Sequence, residues 1–598
     1  MTESATAPPS SASSDGRVPA RIERHPFAAA TLRALQDASD RHRNWPVVYT
    51  LTNTNEVYVG ETVNAAARMR QHLDATEKQH LQEVRIILDD TFNKSACLDL
   101  ESHLIRWFSG DGRLEVLNRN DGVTDANYFQ RETYREQFEH IFEQLRAQGL
   151  FAKRIPEIIN SDLFKLSPFK ALNDDQEAVI EDILEALFQD LASGTNSTAV
   201  IHGGPGTGKT IVAIYLLKLL ADIRARNDVD TGESDTPFSE FFTEGYPQLL
   251  ASARIALVIP QQSLRKSVKN VFKRTPGLTE DMVLTPYEVA KSPTPFDLLI
   301  VDETHRLTQY AAQAMGTLTK SYREISQRLA RPGEDWQTLT QIDWIIRSSR
   351  HQVFLLDEGQ GVRPADVPHQ SLGTLRSTAR DADRRYRLRS QMRVAAGDDY
   401  LTFVRGLLSD DGPDAVAGFS GYDLRFFDRA DAMYQAIRER EAEYGLARLV
   451  AGYGWKWNSK GASEDDLVWD IEADGLRLCW NRTATDWINS PSSIGEVGSI
   501  HTVQGYDLNY AGVIVGPELY LDRATGRIRL NRDSYFDTKG KAANNLRGIT
   551  YSDEEVLEMV KNAYNVLLTR GMRGTYVYVV DPALRAHLRR FFATVVQG

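Results

Sequence analysis

The stretch STAVIHGGPGTGKTIVAIYLLKLL, Ser197 to Leu220, decides the fold of the larger part of this chain. A β-type run from Thr198 to His202 leads into a loop with the spacing G-x-x-x-x-G-K-T, and an apolar helix follows. Strand, glycine loop and helix in this order form the context in which such a loop binds nucleotide phosphates. The stretch therefore predicts an α/β domain that binds ATP or GTP.

The residues of this loop have distinct predicted tasks. Glycines let main-chain N–H groups point inward at the phosphates, and the N-terminus of the following helix adds positive potential. The Lys209 ammonium is expected to reach the β- and γ-phosphates, and the Thr210 hydroxyl is expected to ligate Mg²⁺. The predicted nucleotide-binding loop consists of Gly203, Gly204, Pro205, Gly206, Thr207, Gly208, Lys209 and Thr210.

A second unit, FDLLIVDETHRL, ends an apolar run in two acids. The run Leu298 to Val301 is typical of a buried parallel strand. Asp302 and Glu303 follow at its C-terminal end, where ligands bind in open α/β sheets. Asp302 is predicted to hold Mg²⁺, and Glu303 to orient or deprotonate the attacking water. The alternative is an acidic N-cap before a helix.

Five more motifs stand in a fixed order around the glycine loop: ALNDDQEAVIEDILEAL before it, then VFLLDEGQ, LRSQMRV, HTVQG and LLTRG. With the loop and the DETH acids, this set resembles a superfamily-one helicase motor with two RecA-like domains. More narrowly, it resembles the P-loop ATPase family related to the helicase half of Schlafen proteins. The resemblance covers the chain from about Leu166 to the C-terminus.

This resemblance implies roles for further residues. Gln176 would contact adenine, and Gln360 would sense the γ-phosphate. Arg393 would contact the γ-phosphate from the second domain, and Arg570 would be the arginine finger. HTVQG, His501 to Gly505, would couple nucleic acid to ATP. Arginines from a second domain neutralise the transition state only when the lobes meet around nucleotide, so closure can drive motion along a strand.

A separate stretch near the N-terminus, VVYTLTNTNEVYVGETVNAAARMRQHL, spans Val47 to Leu73. Two β-type runs each carry a tyrosine, and a helix-like run then carries Arg68 and His72. One interpretation is a β-hairpin packed on a helix, with the tyrosines half buried in its core. The other is a site that cleaves phosphodiesters, which a nucleic-acid motor on the same chain favours.

This segment resembles the GIY-YIG nuclease family over about Trp45 to Asp121. The two signatures are Val47-Val48-Tyr49 and Tyr58-Val59-Gly60, followed by GETVNAAARMRQH, ACLDLESHLIRWF and LEVLNRND. Val47 stands where the family usually has glycine. Its two methyl groups are expected to crowd the site if the backbone passes close to the substrate there.

The resemblance also implies the nuclease roles. Tyr49 would be the general base with Tyr58 assisting, and a nearby cation would have to lower the pKa of such a phenol. Arg68 would hold the phosphate, and Glu101 would bind a divalent cation, Mg²⁺ or Mn²⁺. His72 shares the helical face of Arg68 and would relay a proton or hold a phosphate. Asn118 would brace the site.

Composition sets outer bounds. The 598 residues are 42% hydrophobic and 25% charged, which excludes wholesale disorder. No apolar run approaches the roughly 20 residues that span a bilayer, so no membrane partner is expected. Cys97 and Cys479 lie far apart without a metal-ligand cluster, which favours a cytoplasmic location. The net charge of −12 does not by itself indicate a nucleic-acid partner. Basic runs nevertheless occur at Arg265 to Arg274 and at Arg384 to Arg393.

The predicted organisation is α/β, with a small α+β GIY-YIG nuclease domain followed by two RecA-like parallel-sheet motor domains. A disordered tail with an approach helix takes residues 1–40, and the nuclease takes 41–125. A helical connector follows at 126–165, then the first motor lobe at 166–380 and the second at 381–598.

The functional hypothesis is an ATP-dependent nuclease–translocase that acts on DNA rather than RNA, in anti-phage defence or restriction. The same chemistry in DNA repair or recombination is one alternative. An ATP-driven nucleic-acid sensor or scaffold with a non-cutting nuclease domain is another. Homo-oligomers remain open, as do the polarity of translocation and the cut site.

Overall fold

The computed structural model describes residues 20–31, 40–118, 128–168, 172–225, 238–313, 315–357, 359, 361–413, 415–461, 468–483, 487–503 and 506–597, except for the side chains of residues 40 and 77. These residues form two compact units. The first is Met1–Ala171 with Arg274–Pro276, and the second is Leu172–Lys273 with Gly277–Gly598. Most of the predicted N-terminal tail, as well as Gln360, lies outside the described residues.

The first unit contains a five-stranded sheet with the order β1-β4-β2-β3-β5. Strands β2 and β3 form an antiparallel hairpin, and β4 pairs antiparallel with β2. The strands are β1 (Arg21–Pro26), β2 (Val47–Thr52), β3 (Glu56–Thr62), β4 (Glu83–Leu88) and β5 (Glu115–Val116). The helices are α1 (Ala65–Asp74), α2 (Lys94–Asp111), α3 (Arg131–Ala147), α4 (Ile155–Asn160) and α5 (Asp162–Lys165).

Two elements of this unit go beyond the prediction: a strand lies where a tail was expected, and the helix of the expected helical connector packs into the core. Strand β1 falls inside the predicted tail, and antiparallel pairing with β4 orders it at the sheet edge. Helix α3 falls inside the predicted connector, yet its Phe138, Ile141 and Phe142 are fully buried against α2. Its apolar face therefore closes the core of the first unit.

Within the second unit, we call lobe 1 the part built on a six-stranded parallel sheet with the order β11-β6-β10-β9-β7-β8. Its strands are β6 (Ser197–Gly203), β7 (Ile255–Val258), β8 (Val283–Leu284), β9 (Phe296–Val301), β10 (Ser349–Leu356) and β11 (Arg385–Leu388). Its helices are α6 (Asp174–Ser193), α7 (Lys209–Ala225), α8 (Tyr246–Leu250), α9 (Gln262–Phe272), α10 (Pro286–Lys291), α11 (Gly316–Leu329), α12 (Gln341–Arg347) and α13 (His369–Asp381).

Lobe 2 is built on an eight-stranded sheet with the order β14-β15-β16-β13-β17-β20-β12-β21, in which all neighbours are parallel except that β14 is antiparallel to β15. Its strands are β12 (Asp423–Phe427), β13 (Ala447–Ala451), β14 (Ile471–Ala473), β15 (Leu476–Trp480), β16 (Glu496–Ser499), β17 (Leu508–Val515), β20 (Gly571–Val579) and β21 (Val595–Val596), beside a hairpin of β18 (Leu519–Asp522) and β19 (Arg527–Leu530). Its helices are α14 (Gly397–Leu407), α15 (Ala430–Tyr444), α16 (Ile500–Val503), α17 (Asp553–Leu568) and α18 (Pro582–Arg589).

The predicted fold class is confirmed: a small α+β unit precedes two parallel sheets flanked by helices. Central strands β9 and β17 are almost wholly buried and read as continuous apolar runs, as parallel strands covered on both faces require. The predicted lobe boundary at 380/381 falls before β11, which pairs with β6 in the sheet of lobe 1. No helix among the described residues is both long and apolar enough to cross a lipid bilayer.

Candidate active sites

The glycine loop of lobe 1 lies at the C-terminal end of β6, which ends at Gly203, and helix α7 begins at Lys209. Gly206 and Gly208 adopt φ of 82° and 78°, in the left-handed region that favours glycine. A side chain at Gly206 would overlap the amide of Gln391, and one at Gly208 would overlap that of Gln176. Glycine is therefore needed at both positions for conformation, and at Gly206 also for space, because a side chain there would meet the Cβ of Arg393.

Lys209 is held ready inside this loop. Its ammonium donates hydrogen bonds of 2.8 Å to the carbonyl oxygens of Gly203 and Gly204, and it lies 3.4 Å from Oδ2 of Asp357. Asp357 follows β10, the strand next to β6 in the sheet. The Lys209 charge is thus already satisfied within the protein, and phosphate oxygens of a nucleotide offer it equivalent acceptors.

Two oxygen donors meet beside Lys209. The Thr210 hydroxyl donates a 2.7 Å hydrogen bond to Oδ2 of Asp302, which is fully buried at the end of β9. Burial and the charge of Glu303 raise the pKa of Asp302. A hydroxyl and a carboxylate are the hard donors that Mg²⁺ prefers, and a cation there would offset the buried negative charge. The residues at this point therefore fit Mg²⁺.

Glu303 has an unusual backbone for a glutamate, with φ of 50°. Burial alone would raise its pKa, but the Nε2 atom of His305, 3.0 Å from its Oε2, keeps that pKa below the ordinary value. The carboxylate consequently stays ionised, the form that a group orienting or deprotonating water requires. Non-glycine residues with positive φ cluster at functional sites, where surrounding structure holds them.

Two arginines approach this region, Arg570 from lobe 2 and Arg393 from the segment that leads into lobe 2. Arg570 is 1% exposed and donates to the carbonyl oxygens of Val566 and Tyr506 at 3.1 and 3.2 Å. Burial and the nearby charge of Arg393 lower its pKa, whereas Glu303 and Asp357 of lobe 1 act in the opposite direction. Arg393 forms an ion pair with Asp507. Arg570 therefore lies within electrostatic range of Glu303 and Asp357, and Arg393 lies within electrostatic range of Arg570.

The segment that leaves β11, Arg389 to Arg393, lies on the glycine loop, and we call it the interlobe strap. The main-chain N–H of Met392 donates to the carbonyl of Gly206 at 2.9 Å, and the Gln391 amide donates to that of Pro205. The strap thereby links β11, the edge strand of the lobe 1 sheet, to lobe 2 and passes over the glycine loop.

Gln176 joins the same network. Its amide donates to the carbonyl of Thr207 at 3.0 Å and contacts Sδ of Met392 at 3.1 Å. Its oxygen accepts from the N–H of Asn173 in a capping box that starts α6. The amide therefore braces the glycine loop, and the adenine contact stays a prediction.

Polar groups also surround His501 in the HTVQG motif. Its Nε2 lies 3.1 Å from Oδ2 of Asp537, and burial lowers its pKa. Gln504 and Gly505 lie outside the described residues. Trp455 and Trp457 are partly buried against a core cluster of lobe 2.

In the first unit, the pair of phenols lies on neighbouring strands of the hairpin. Tyr49 of β2 is fully buried, and its hydroxyl lies 2.7 Å from Nε2 of His72 on α1. A side chain at Gly60 would overlap that hydroxyl, since Tyr49 and Gly60 are cross-strand partners. The second signature glycine therefore makes room for the first signature tyrosine.

Tyr58 and Lys78 complete this cluster. The ring of Tyr58, partly exposed on β3, packs edge-on against His72 with ring centroids 5.2 Å apart. The Lys78 ammonium lies 3.5 Å from the centroid of the Tyr58 ring and 3.2 Å from Nδ1 of His72. Tyr49, Tyr58, His72 and Lys78 are thus one contact group, and we call it the phenol cluster.

A second group contains Glu101 of α2. Burial and the charge of Glu61 raise the pKa of Glu101 to about 8, while the charges of Lys94 and Arg68 act in the opposite direction. Lys94 forms an ion pair with Glu61, whose Oε2 is buried without a hydrogen-bond partner. Two carboxylates whose charges disfavour each other fit a divalent cation, since bound cations invert that balance. Helix α1 joins the two groups, because it carries both Arg68 and His72.

Asn118 and Val47 support the site from the sides. The Asn118 amide accepts from the N–H of Val59 at 2.9 Å and donates to its carbonyl at 2.8 Å, between Tyr58 and Gly60. Val47 is fully buried in the cluster that also contains Tyr49. The valine at the usual glycine position is therefore a core residue here.

Several contributors were missed in the sequence. Lys78 lies in a 3₁₀ turn after α1 that matches no motif, and Glu61 follows the second signature without a signal of its own. Asp357 was within reach, since it stands in the quoted stretch VFLLDEGQ at a strand end. Gln391 and Asp507 meet the site only through tertiary packing.

Comparison with known families covers both units. A model of the Schlafen group 3 DNA/RNA helicase domain matches residues 196–581, and a model of the GIY-YIG catalytic domain matches residues 46–113. The uncharacterized protein YPL245W of Saccharomyces cerevisiae is 26% identical over 466 residues, which cover 73% of this chain and 94% of the yeast protein.

Solved structures of helicases align with the larger part of the chain at low similarity. The arterivirus nonstructural protein 10 helicase matches at 12% identity and a TM-score of 0.27, over 68% of this chain and 64% of its own. Bacteroides Pif1 bound to single-stranded DNA matches at 11% identity and a TM-score of 0.25, over 70% of this chain and 94% of its own.

Proposed function

The chain belongs to the Schlafen group 3 DNA/RNA helicase domain family and carries a GIY-YIG domain, and from this premise we propose that it is an ATP-dependent nuclease–translocase acting on DNA. One observation carries the proposal: the same chain contains two prepared sites. At the nucleotide site the Thr210 hydroxyl lies 2.7 Å from Oδ2 of Asp302, and at the nuclease site the Tyr49 hydroxyl lies 2.7 Å from Nε2 of His72. Each pairing joins residues from different elements, as the chemistry of each site requires.

At the nucleotide site, Lys209 binds the β- and γ-phosphates, and Thr210 with Asp302 would hold Mg²⁺. Glu303, kept ionised by His305, orients the attacking water. Arg393 and Arg570 neutralise charge that develops on the phosphate as the lobes close. Because Arg570 belongs to lobe 2, Arg393 to the strap that leads into lobe 2 and the acids to lobe 1, hydrolysis is linked to relative lobe motion and so to translocation.

At the nuclease site, Arg68 grips the scissile phosphate, and Glu101 with Glu61 would hold a divalent cation. When bound, that cation supplies charge neutralisation at the phosphate and at the leaving oxygen. Tyr49 takes the proton from the attacking water, and His72 orients the phenol. Tyr58 is the phenol that solvent reaches in this state, so phenylalanine substitutions of both tyrosines are needed to assign the base.

Tethering explains why the two sites share a chain. A motor bound to DNA raises the effective concentration of the attached nuclease along that DNA. We place this activity in restriction or anti-phage defence, acting in the cytoplasm, with repair or recombination as the alternative role. Cleavage of phage, modified and host DNA compared side by side separates the two roles, because restriction requires discrimination among them.

The test is an ATPase and cleavage assay on single-stranded, duplex and forked DNA, with single-stranded RNA as a comparison. Lys209→Ala is expected to abolish ATPase activity, and Glu101→Ala is expected to abolish cleavage while ATPase activity persists. Lys320→Ala and Glu115→Ala, at exposed positions, are the matched controls. Absence of nicking under all ATP and metal conditions, with both units folded, contradicts the nuclease half.

A second candidate function rests on the full burial of Tyr49, which closes its hydroxyl to solvent. This observation favours an ATP-driven sensor or scaffold in which the GIY-YIG domain binds nucleic acid without cutting it. Glu101→Ala separates the candidates in cells. An unchanged biological output supports the scaffold, and loss of output together with loss of cleavage supports the nuclease.

A further inference from the structure

The imidazole of His72 lies between a phenol and an ammonium. Its Nε2 is 2.7 Å from the Tyr49 hydroxyl, and its Nδ1 is 3.2 Å from the Lys78 ammonium. Both contacts are short enough to be hydrogen bonds, and His72 is 3% exposed. Both ring nitrogens of His72 therefore have a hydrogen-bond partner.

Elementary donor and acceptor rules assign the hydrogens. A lysine ammonium has three donors and no acceptor, so the Nδ1 atom of His72 must accept from Lys78. A neutral imidazole carries one N–H, which is then on Nε2. That Nε2–H donates to the oxygen of Tyr49, so the phenol hydrogen points away from His72.

This direction matters for a base. A hydrogen bond donated to a phenol oxygen favours its ionised form, and a positive charge behind the donor strengthens the effect. The opposite tautomer would accept the phenol hydrogen and hold it in place. The Lys78 charge thereby favours the ionised form of Tyr49, which is the form that takes a proton from the attacking water.

Lys78 is itself held in position. It ends the 3₁₀ turn Thr76–Lys78, and its N–H donates to the carbonyl of Ala75 at 3.1 Å. Its ammonium also lies over the Tyr58 ring at 3.5 Å, a cation–π contact. The titratable and charged groups of the elements that pack here are Tyr49 on β2, Tyr58 on β3, Lys78 on the turn, and Arg68 one helical turn before His72 on α1.

We propose that Lys78 is a positioning residue of the nuclease site, which fixes His72 as the Nε2–H tautomer and turns its hydrogen toward the Tyr49 oxygen. The proposal deepens the nuclease assignment and rests on it for its kinetic consequence. Its structural statement, the tautomer of His72, stands apart from cleavage and is measured separately.

The kinetic test compares the full-length wild type with Lys78→Met, Lys78→Arg and Arg70→Met in DNA nicking at saturating Mg²⁺ between pH 6.5 and 9.5. Arg70 is an exposed cation of α1, so its loss controls for charge. Lys78→Met is expected to move the acidic limb to higher pH, with about tenfold slower nicking at pH 7 and a matching rate near pH 9. Lys78→Arg should restore the wild-type profile, and Arg70→Met should overlay it. A uniform loss at every pH, or no change, overturns the proposal.

The second measurement is independent of cleavage. Long-range ¹H–¹⁵N spectra of the ¹⁵N-histidine-labelled full chain, with His72 assigned through His72→Gln, report which nitrogen carries hydrogen. Wild type is expected to show Nε2–H at neutral pH, and Lys78→Met is expected to add the Nδ1–H tautomer. Wild-type protein with Nδ1–H refutes the proposal even if nicking is strong. A chain that does not nick but shows the expected tautomers refutes the nuclease function alone.

Discussion

The hydroxyl of Thr210 donates a 2.7 Å hydrogen bond to Oδ2 of Asp302, and this contact joins the start of α7 to the end of β9. Two different elements thus place hard oxygen donors side by side. The position for a cation is prepared by the fold, so changes to either oxygen should affect catalysis more than folding.

Removing the Thr210 hydroxyl while keeping its shape is the direct test. We expect Thr210→Val to lower the ATPase kcat by about 100-fold or more, because a ligand of Mg²⁺ is lost and Asp302 keeps a buried, unpaired oxygen. Thr210→Ser retains the hydroxyl and should stay within about fivefold of wild type. Steady-state ATP hydrolysis across Mg²⁺ concentrations measures both. Equal activities of the two variants would contradict the assignment.

Arg570 should be irreplaceable by lysine. We expect Arg570→Lys to lower the ATPase kcat by about 100-fold with the KM for ATP within threefold, because a planar guanidinium stabilises charge that appears only in the transition state. The exposed Arg380→Lys is the matched control. If the loss appears in KM alone, Arg570 contributes to binding rather than to the transition state.

Gly60 should tolerate no side chain. A Cβ at this position would overlap the Tyr49 hydroxyl, so Gly60→Ala is expected to displace that phenol from His72. We predict at least about 100-fold slower nicking with unchanged ATPase activity, since positioning errors of one ångström are costly in catalysis. Gly316→Ala, at the start of α11 with open space around it and no positive φ, provides a control for the general effect of removing a glycine. Nicking that survives in Gly60→Ala would mean that Tyr49 does not act in the reaction.

The valine at position 47 should prove to be a core residue. Val47→Gly removes a fully buried side chain and adds glycine to a strand, so we expect the first unit to lose about 2–3 kcal/mol of stability without any gain in nicking. The stability of Val47→Ala should lie between those of wild type and Val47→Gly. Denaturant unfolding followed by a probe in the first unit measures the loss. Faster nicking by Val47→Gly would show that the valine obstructs the site.

Motifs whose parts adjoin in sequence could be predicted well. In three motifs the functional residues depend on local backbone structure: the glycine loop, the acids after β9 and the two tyrosine signatures. The structure places the first two at strand ends and the third in a hairpin. The fold class followed from the same local patterns, because strand, loop and helix repeat in order.

The remaining contributors depend on packing between distant segments. Lys78 comes from a short turn with no pattern, and Gln391 reaches Pro205 from 186 residues away. Strand β11 was assigned to the wrong side of the lobe boundary because nothing local says which sheet edge it joins. Sequence patterns describe faces and spacings, whereas these contacts depend on where the tertiary fold brings the faces together.

Glu518 should make stability depend on pH. It is fully buried, it accepts a hydrogen bond from Tyr564, and burial raises its pKa to about 7. Because the folded state then binds more protons than the unfolded state between pH 4.5 and 7, stability should fall over that interval by up to about 3 kcal/mol and level off above it. Glu518→Gln is expected to flatten this slope in thermal unfolding from pH 5 to 8. If stability depends on pH equally in wild type and in Glu518→Gln, a group other than Glu518 is responsible.

The interlobe strap has a mechanical implication. The main chain of Met392 and the side chain of Gln391 donate hydrogen bonds to carbonyls of the glycine loop, and the chain then continues directly into lobe 2. A nucleotide phosphate that shifts these carbonyls would therefore move the strap directly, without a relay through other side chains. We expect that inserting one residue after Arg393 would uncouple ATP hydrolysis from the motion of lobe 2.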